Sequence, residues 1–177
     1  MKDKKETLYL YEALELRSEY DARIKTLKDC LPESKQNRDR LSFTRDDEIR
    51  RPSPDFDAAS TRKELRKIEI KRRKLNSSIQ RANFNHFINL NGDSISLSEA
   101  LEMRKALNEQ IGEFHNQVVT SSYQKVIYKE GRDIVEDNEI SYKDAVKELE
   151  EARLAFRELN RKLRLASFET EVDFQDE

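Results

Sequence analysis

Glycine is scarce in this chain of 177 residues, with three in all, and so is proline, also with three. Gly-rich phosphate loops, barrels and sandwiches need more turn glycines than that, and collagen-like or linker-like chains need far more. One cysteine, Cys30, excludes an internal disulfide and with it the disulfide-stapled secreted class. Tryptophan is absent. No window approaches the roughly 18 apolar residues of a membrane-spanning helix, and Met1 to Tyr11 carries no apolar core of signal-peptide length. A soluble, cytoplasmic protein is the expectation. Charge of one sign is missing too. Lys+Arg total 34 and Asp+Glu 36, so the net charge is −2 although 40% of residues are charged. That balance argues against charge-driven disorder and against a protein-wide field for nucleic acid or anionic lipid. What is left is a mostly helical chain.

Within it the sequence recurs. Glu12-Ala13-Leu14-Glu15-Leu16-Arg17 returns as Glu99-Ala100-Leu101-Glu102-Met103-Arg104, five of six identical at an offset of 87. At an offset of 84, Lys63-Glu64-Leu65 returns as Lys147-Glu148-Leu149, and Leu75-Asn76 and Ala82-Asn83-Phe84 return as Leu159-Asn160 and Ala166-Ser167-Phe168. Kept order and near-equal offsets read as an internal duplication. The expectation is a single domain of two helical hairpins, 1–90 and 91–177.

Each half shows two apolar seams with alternating three and four spacing, the pattern of a coiled-coil face. Leu10, Ala13, Tyr20, Ile24, Leu27 and Leu31 mark the first helix, and Leu65, Ile68, Leu75, Ile79 and Ala82 the second. Leu97, Ala100, Leu107, Ile111, Phe114 and Val118 mark the third; Ala145, Leu149, Ala152, Phe156, Leu159, Leu163 and Ala166 mark the fourth. The predicted fold is mainly α: two antiparallel hairpins forming a four-helix bundle or coiled-coil arms. Ser96-Leu97-Ser98-Glu99 is a capping box, and Ser141 with Asp144 a weaker one. Asn91-Gly92 between Phe87–Leu90 and Asp93–Ser96 predicts a small β-hairpin joining the halves. Glu169 to Phe174 alternates polar and apolar, and is expected to pair as a strand with the N-terminal Thr7-Leu8-Tyr9, in the same chain or a neighbour's. Two long loops remain: 32–57, which holds all three prolines, and 121–140, which holds a strand-like Tyr123 to Tyr128.

Three arginines fall where the seams should be apolar: Arg17, Arg104 and Arg72. A guanidinium there must be paired or hydrogen-bonded, because desolvating it is costly. Antiparallel packing sets Arg17 level with Asn76 and Arg104 level with Asn160, two repeat-matched polar layers. They read first as register keys and second as an anion or metabolite site. From Thr61 to Arg81 nine basic residues stand against Glu64 and Glu69. Without interleaved aromatics, and in a near-neutral chain, that stretch reads as a solvated face, and nucleic acid is not an expected partner. His86 and His115 lie in no metal-ligand spacing and neither is near Cys30. Glu113 and His115 are two apart and cannot share a helix face. No catalytic motif, metal site or cofactor site is legible.

The pattern Glu-Ala-Leu-x-x-Arg, a Gly turn, a second such motif and a closing amphipathic helix resembles the septicolysin-like proteins, small helical bacterial proteins. The matching residues are Glu12, Ala13, Leu14, Arg17, Arg23 and Ile24, then Gly92, Leu97, Glu99, Ala100, Leu101, Arg104 and Leu107, then Leu149, Leu159 and Leu163. Where members close with Asn-Trp, Ser167-Phe168 stands here. The resemblance implies no catalytic residue, and the family name implies a membrane-active cytolysin. The residues themselves point to a helical scaffold or interaction protein that forms a homo-oligomer, since heptad seams present self-complementary faces.

Overall fold

The computed structural model describes residues 8–31, 53–136 and 138–176; most of the 32–57 loop and Thr7 lie outside them. The fold is mainly α. Four long helices, α1 (Leu10–Cys30), α2 (Ala58–Asn85), α3 (Leu97–Ser121) and α4 (Tyr142–Glu169), carry three short antiparallel strand pairs. Helices of 21 to 28 residues extend about 32 to 42 Å at about 1.5 Å per residue.

The starts of these helices follow local chemistry. Asp57 Oδ1 accepts from Ala59 N (2.9 Å) ahead of α2. Ser96 Oγ accepts from Glu99 N (3.2 Å) while Glu99 Oε2 accepts from Ser96 N (2.7 Å), closing the expected box. Two otherwise orphaned N–H groups at the start of α3 are thereby satisfied. Ser141 Oγ accepts from Asp144 N (3.2 Å) at α4. At α1 the box is half present: Tyr9 N donates to Glu12 Oε2 (2.8 Å), the same backbone capture that Glu99 performs at the repeat-matched position.

The chain divides into two compact units, 8–31 with 53–79 and 171–176, and 80–170. The division expected from the sequence recurrence falls instead at 90/91. In the first unit β1 (Leu8–Tyr9) pairs with β6 (Glu171–Val172), Leu8 opposite Val172 and Tyr9 opposite Glu171. The expected pairing of the terminal segments thus forms within one chain. Leu10, Ala13, Tyr20, Ile68, Leu75, Ile79 and Val172 are buried there.

In the second unit α3 and α4 pack along each other. Leu97 and Ala100 on α3, and Ala145, Leu149, Ala152, Leu159 and Ala166 on α4, are buried. Leu107, Ile111, Phe114 and Val118 are half-buried, so the α3 seam read from the sequence lies inward or partly inward along its length. The hairpin of β2 (Phe87–Leu90) and β3 (Asp93–Ser96) turns through Asn91 and Gly92 at φ 55° and 97°, both positive as a type I′ turn requires. A second hairpin, β4 (Lys125–Lys129) with β5 (Arg132–Glu136), turns through Glu130 and Gly131 at φ 55° and 76°.

The registers carry one correspondence. Adding 87 to Tyr9 gives Ser96, and subtracting 84 from Glu171 gives Phe87. The pair Tyr9 and Glu171 therefore maps onto the pair Ser96 and Phe87, and Leu8 with Val172 maps onto Ile95 with Ile88. Strand pairing at the termini and strand pairing at mid-chain follow one pattern under offsets taken from helix residues.

Candidate functional site

The first unit assembles a ladder of polar pairs between α1 and α2. Arg17 Nη1 donates to Asn76 Oδ1 (3.4 Å), a long bond for this type. Asp21 accepts from Arg72 Nε (2.9 Å), Arg23 faces Glu64 (3.7 Å) and Lys28 pairs with Glu69 (3.1 Å). From Asn76 and Arg72 opposite residues 17 and 21 to Glu64 and Glu69 opposite residues 23 and 28, the partners move toward the start of α2 as α1 advances, so the two helices run antiparallel. Arg17 and Asn76 are half-buried and Arg72 is exposed. Exposed pairs of this kind contribute about 0–1 kcal/mol each.

Behind the ladder the C-terminal residues lie on α2. Ser78 Oγ donates to the Asp173 carbonyl (2.8 Å), and Lys71 Nζ donates to Asp176 Oδ1 (2.7 Å). Tyr20 is 2% exposed, and its hydroxyl makes no hydrogen bond of good geometry. The Asp176 carboxylate stands close enough to act on it. Burial first, and Asp176 second, push the Tyr20 phenol well above its ordinary range. Lys71 first, and Tyr20 second, hold Asp176 below the usual carboxylate range. A phenol this hard to ionise is no general base near neutral pH.

In the second unit Arg104 is exposed and Asn160 half-buried, and no hydrogen bond joins them. The structure thus brings Arg17 and Asn76 together and gives Arg72 to Asp21. His86 is half-buried and its carbonyl accepts from Leu97 N (2.9 Å). His115 and Cys30 are exposed. Among the described residues no three His, Cys, Asp or Glu side chains gather as a metal site. Of the basic stretch 61–81, Lys71 and Arg72 are held in ion pairs.

Sequence reasoning passed over one concavity. At the C-terminal end of α3 an open cavity of about 930 Å³ is lined by Asn116, Gln117, Thr120, Tyr123, Gln124 and Asn138 among others. Asn138 Nδ2 donates to the carbonyls of Ser121 (3.3 Å) and Tyr123 (3.0 Å), tying the segment before α4 to the end of α3. The signal in the sequence was the amide- and hydroxyl-rich run 116–124, which carries no motif.

No family model matches the chain, and no curated protein matches it. Among solved structures it is similar to the crystal structure of a functionally unknown conserved protein from Corynebacterium diphtheriae. The TM-score is 0.67 and the identity 19%, over 94% of this chain and 99% of that one. At that identity the likeness is one of fold.

Proposed function

We propose that this chain is a non-enzymatic helical scaffold, built from a duplicated helical hairpin, that works by associating with a second copy of itself. The observation that carries the reading is an apolar stripe left on α4. Leu154, Leu165 and Phe168 are each more than half exposed. At about 100° per residue they fall within about 60° of one another on the helix. Ile70 and Phe84 on α2 hold the repeat-matched positions of Leu154 and Phe168 and are also exposed. Apolar residues exposed along one helix stripe, with exposed apolar residues at matched positions of a second helix, mark an interaction face. Between Leu154 and Leu165 stand Arg157, Glu158 and Arg161, so two antiparallel copies of α4 can set a carboxylate against a guanidinium. Membership of the septicolysin-like proteins belongs to this proposal, on the two Glu-Ala-Leu-x-x-Arg motifs alone. The membrane-active reading gains no support from the helices: among the described residues none is long and apolar enough to cross a membrane.

Light scattering after size exclusion tests the association. A mass of twice 21.0 kDa or more is expected. The double variant Leu154→Glu with Leu165→Glu should run as a monomer with an unchanged helical circular dichroism spectrum. A wild-type chain that is monomeric at every concentration overturns the reading.

A further inference from the structure

Asparagine is followed by glycine once in the chain, at Asn91-Gly92. That step forms the tip of the β2–β3 hairpin, where both residues are exposed. An asparagine side chain can be attacked at Cγ by the backbone nitrogen of the next residue, which closes a succinimide ring. A side chain on that next residue obstructs the approach. Gly92 has none, and a Cβ built on it would meet no atom within 4 Å. The strand ladder closes with Leu90 opposite Asp93, so Gly92 N lies outside it. Asn91 Cγ and Gly92 N are therefore neighbours, uncrowded and open to water.

One contact opposes the attack. Gly92 N donates to Asn89 Oδ1 (3.1 Å). The nitrogen attacks only after losing its proton, and this bond holds the proton in place. Asn89 is itself anchored. It lies opposite Ser94 in the ladder, and its carbonyl accepts from Lys162 Nζ of α4 (2.9 Å).

We propose that Asn91 is a site of spontaneous covalent modification, losing its side-chain amide through attack by Gly92 N, with Asn89 as the positioning residue that slows the loss. In the first step Gly92 N gives its proton to hydroxide and bonds to Asn91 Cγ. The Cγ–Nδ2 bond breaks, and Nδ2 leaves as ammonia with a proton taken from water. In the second step water adds to one of the ring carbonyls and the ring C–N bond there breaks. Opening at Cγ gives aspartate at position 91. Opening at the backbone carbonyl gives isoaspartate, whose main chain runs through Cβ and Cγ. The net change is one water consumed and one ammonia released. The isoaspartate form adds a main-chain atom to a two-residue type I′ turn, which disturbs the register of Leu90 with Asp93. The proposal goes beyond self-association and uses none of the exposed α4 residues Leu154, Leu165 and Phe168.

The test holds the full chain, folded, in warm and mildly alkaline buffer, beside a sample unfolded in guanidinium chloride. Trypsin then releases residues 82–104, which carry Asn83, Asn85, Asn89 and Asn91 on one peptide. Tandem mass spectrometry reads which of the four has become an acid. Asn91 is expected to convert first, and more slowly in the folded chain than in the unfolded one. Asn89→Ala should speed the folded-state conversion about fivefold to tenfold, the factor one hydrogen bond supplies, with an unchanged helical circular dichroism spectrum. Asn89→Asp keeps an acceptor oxygen and should restore the slow rate. Four results overturn the proposal. They are conversion of another asparagine of the peptide ahead of Asn91, equal rates in folded and unfolded wild type, equal rates in folded wild type and Asn89→Ala, or an Asn91 that stays intact in folded Asn89→Ala while the unfolded chain converts.

Discussion

Tyr20 shows what a single buried hydroxyl contributes. Its ring fills a buried position, yet its oxygen gains no well-formed hydrogen bond. Removing an unpartnered buried polar group is neutral or stabilising, whereas removing a buried aromatic ring costs about 3–5 kcal/mol. Tyr20→Phe should therefore leave the urea midpoint unchanged or raise it, while Tyr20→Ala should lower it sharply. A marked loss in Tyr20→Phe would mean the hydroxyl is well bonded. The pH dependence has a definite sign. A phenol raised above its unfolded value of about 10 stabilises the fold below that value and loses the contribution as pH rises through its folded value. Tyr20→Phe should flatten the alkaline limb of stability. Asp176 runs the other way. Held low by Lys71 and then Tyr20, it contributes above the unfolded carboxylate value of about 4 and loses that as pH falls through its own. Asp176→Asn should be less stable at neutral pH and show a shallower acid limb in urea titrations from about pH 7 to about pH 2. Neither residue was legible as a pair, because Tyr20 and Asp176 meet only once the chain ends are closed. The meeting of Arg17 with Asn76 was legible, since antiparallel register alone sets it.

Among the elements, turns and caps repeat what short motifs say, and one seam position departs from them. The seam pattern placed position 72 inward, but the inward position between Ile68 and Leu75 is held by Lys71, half-buried beneath its bond to Asp176. Arg72 instead reaches Asp21. The hairpin at Asn91-Gly92 was legible because Asn-Gly is the favoured type I′ pair. The hairpin at Glu130-Gly131 was not, because glutamate at positive φ is uncommon and only its first strand looked apolar. Gly92 sits at φ 97°, and a methyl group added to its Cα would meet no atom within 4 Å, so Gly92→Ala tests backbone strain alone. The expected loss is about 1 kcal/mol in chemical denaturation. Ser96→Ala removes the cap of α3, also at about 1 kcal/mol. An unchanged midpoint in either variant would show that the α3 entry is fixed by packing instead.

At the scale of the chain, the terminal and central strand pairs follow one register, and that has a consequence for connectivity. Truncation after Phe168 deletes β6 along with the Ser78 and Lys71 bonds to the last residues, and should lower the unfolding midpoint or change the oligomeric state. The complementary experiment keeps every residue and moves the break. Leu8 and Val172 are paired, so a short Gly/Ser linker can join the two ends with little loop-closure cost. Opening the chain between Asn91 and Gly92 then turns the β2–β3 hairpin into a pairing of terminal strands, the arrangement that β1 and β6 already hold. If the two strand pairs are equivalent joints, this permutant should fold cooperatively, with the wild-type helical spectrum and a midpoint lowered only by the loss of the Asn-Gly turn. A broad, non-cooperative melt would show that the covalent hairpin at 91–92 does something the terminal pair cannot, and that the shared register is a likeness of sequence without an equivalence of role.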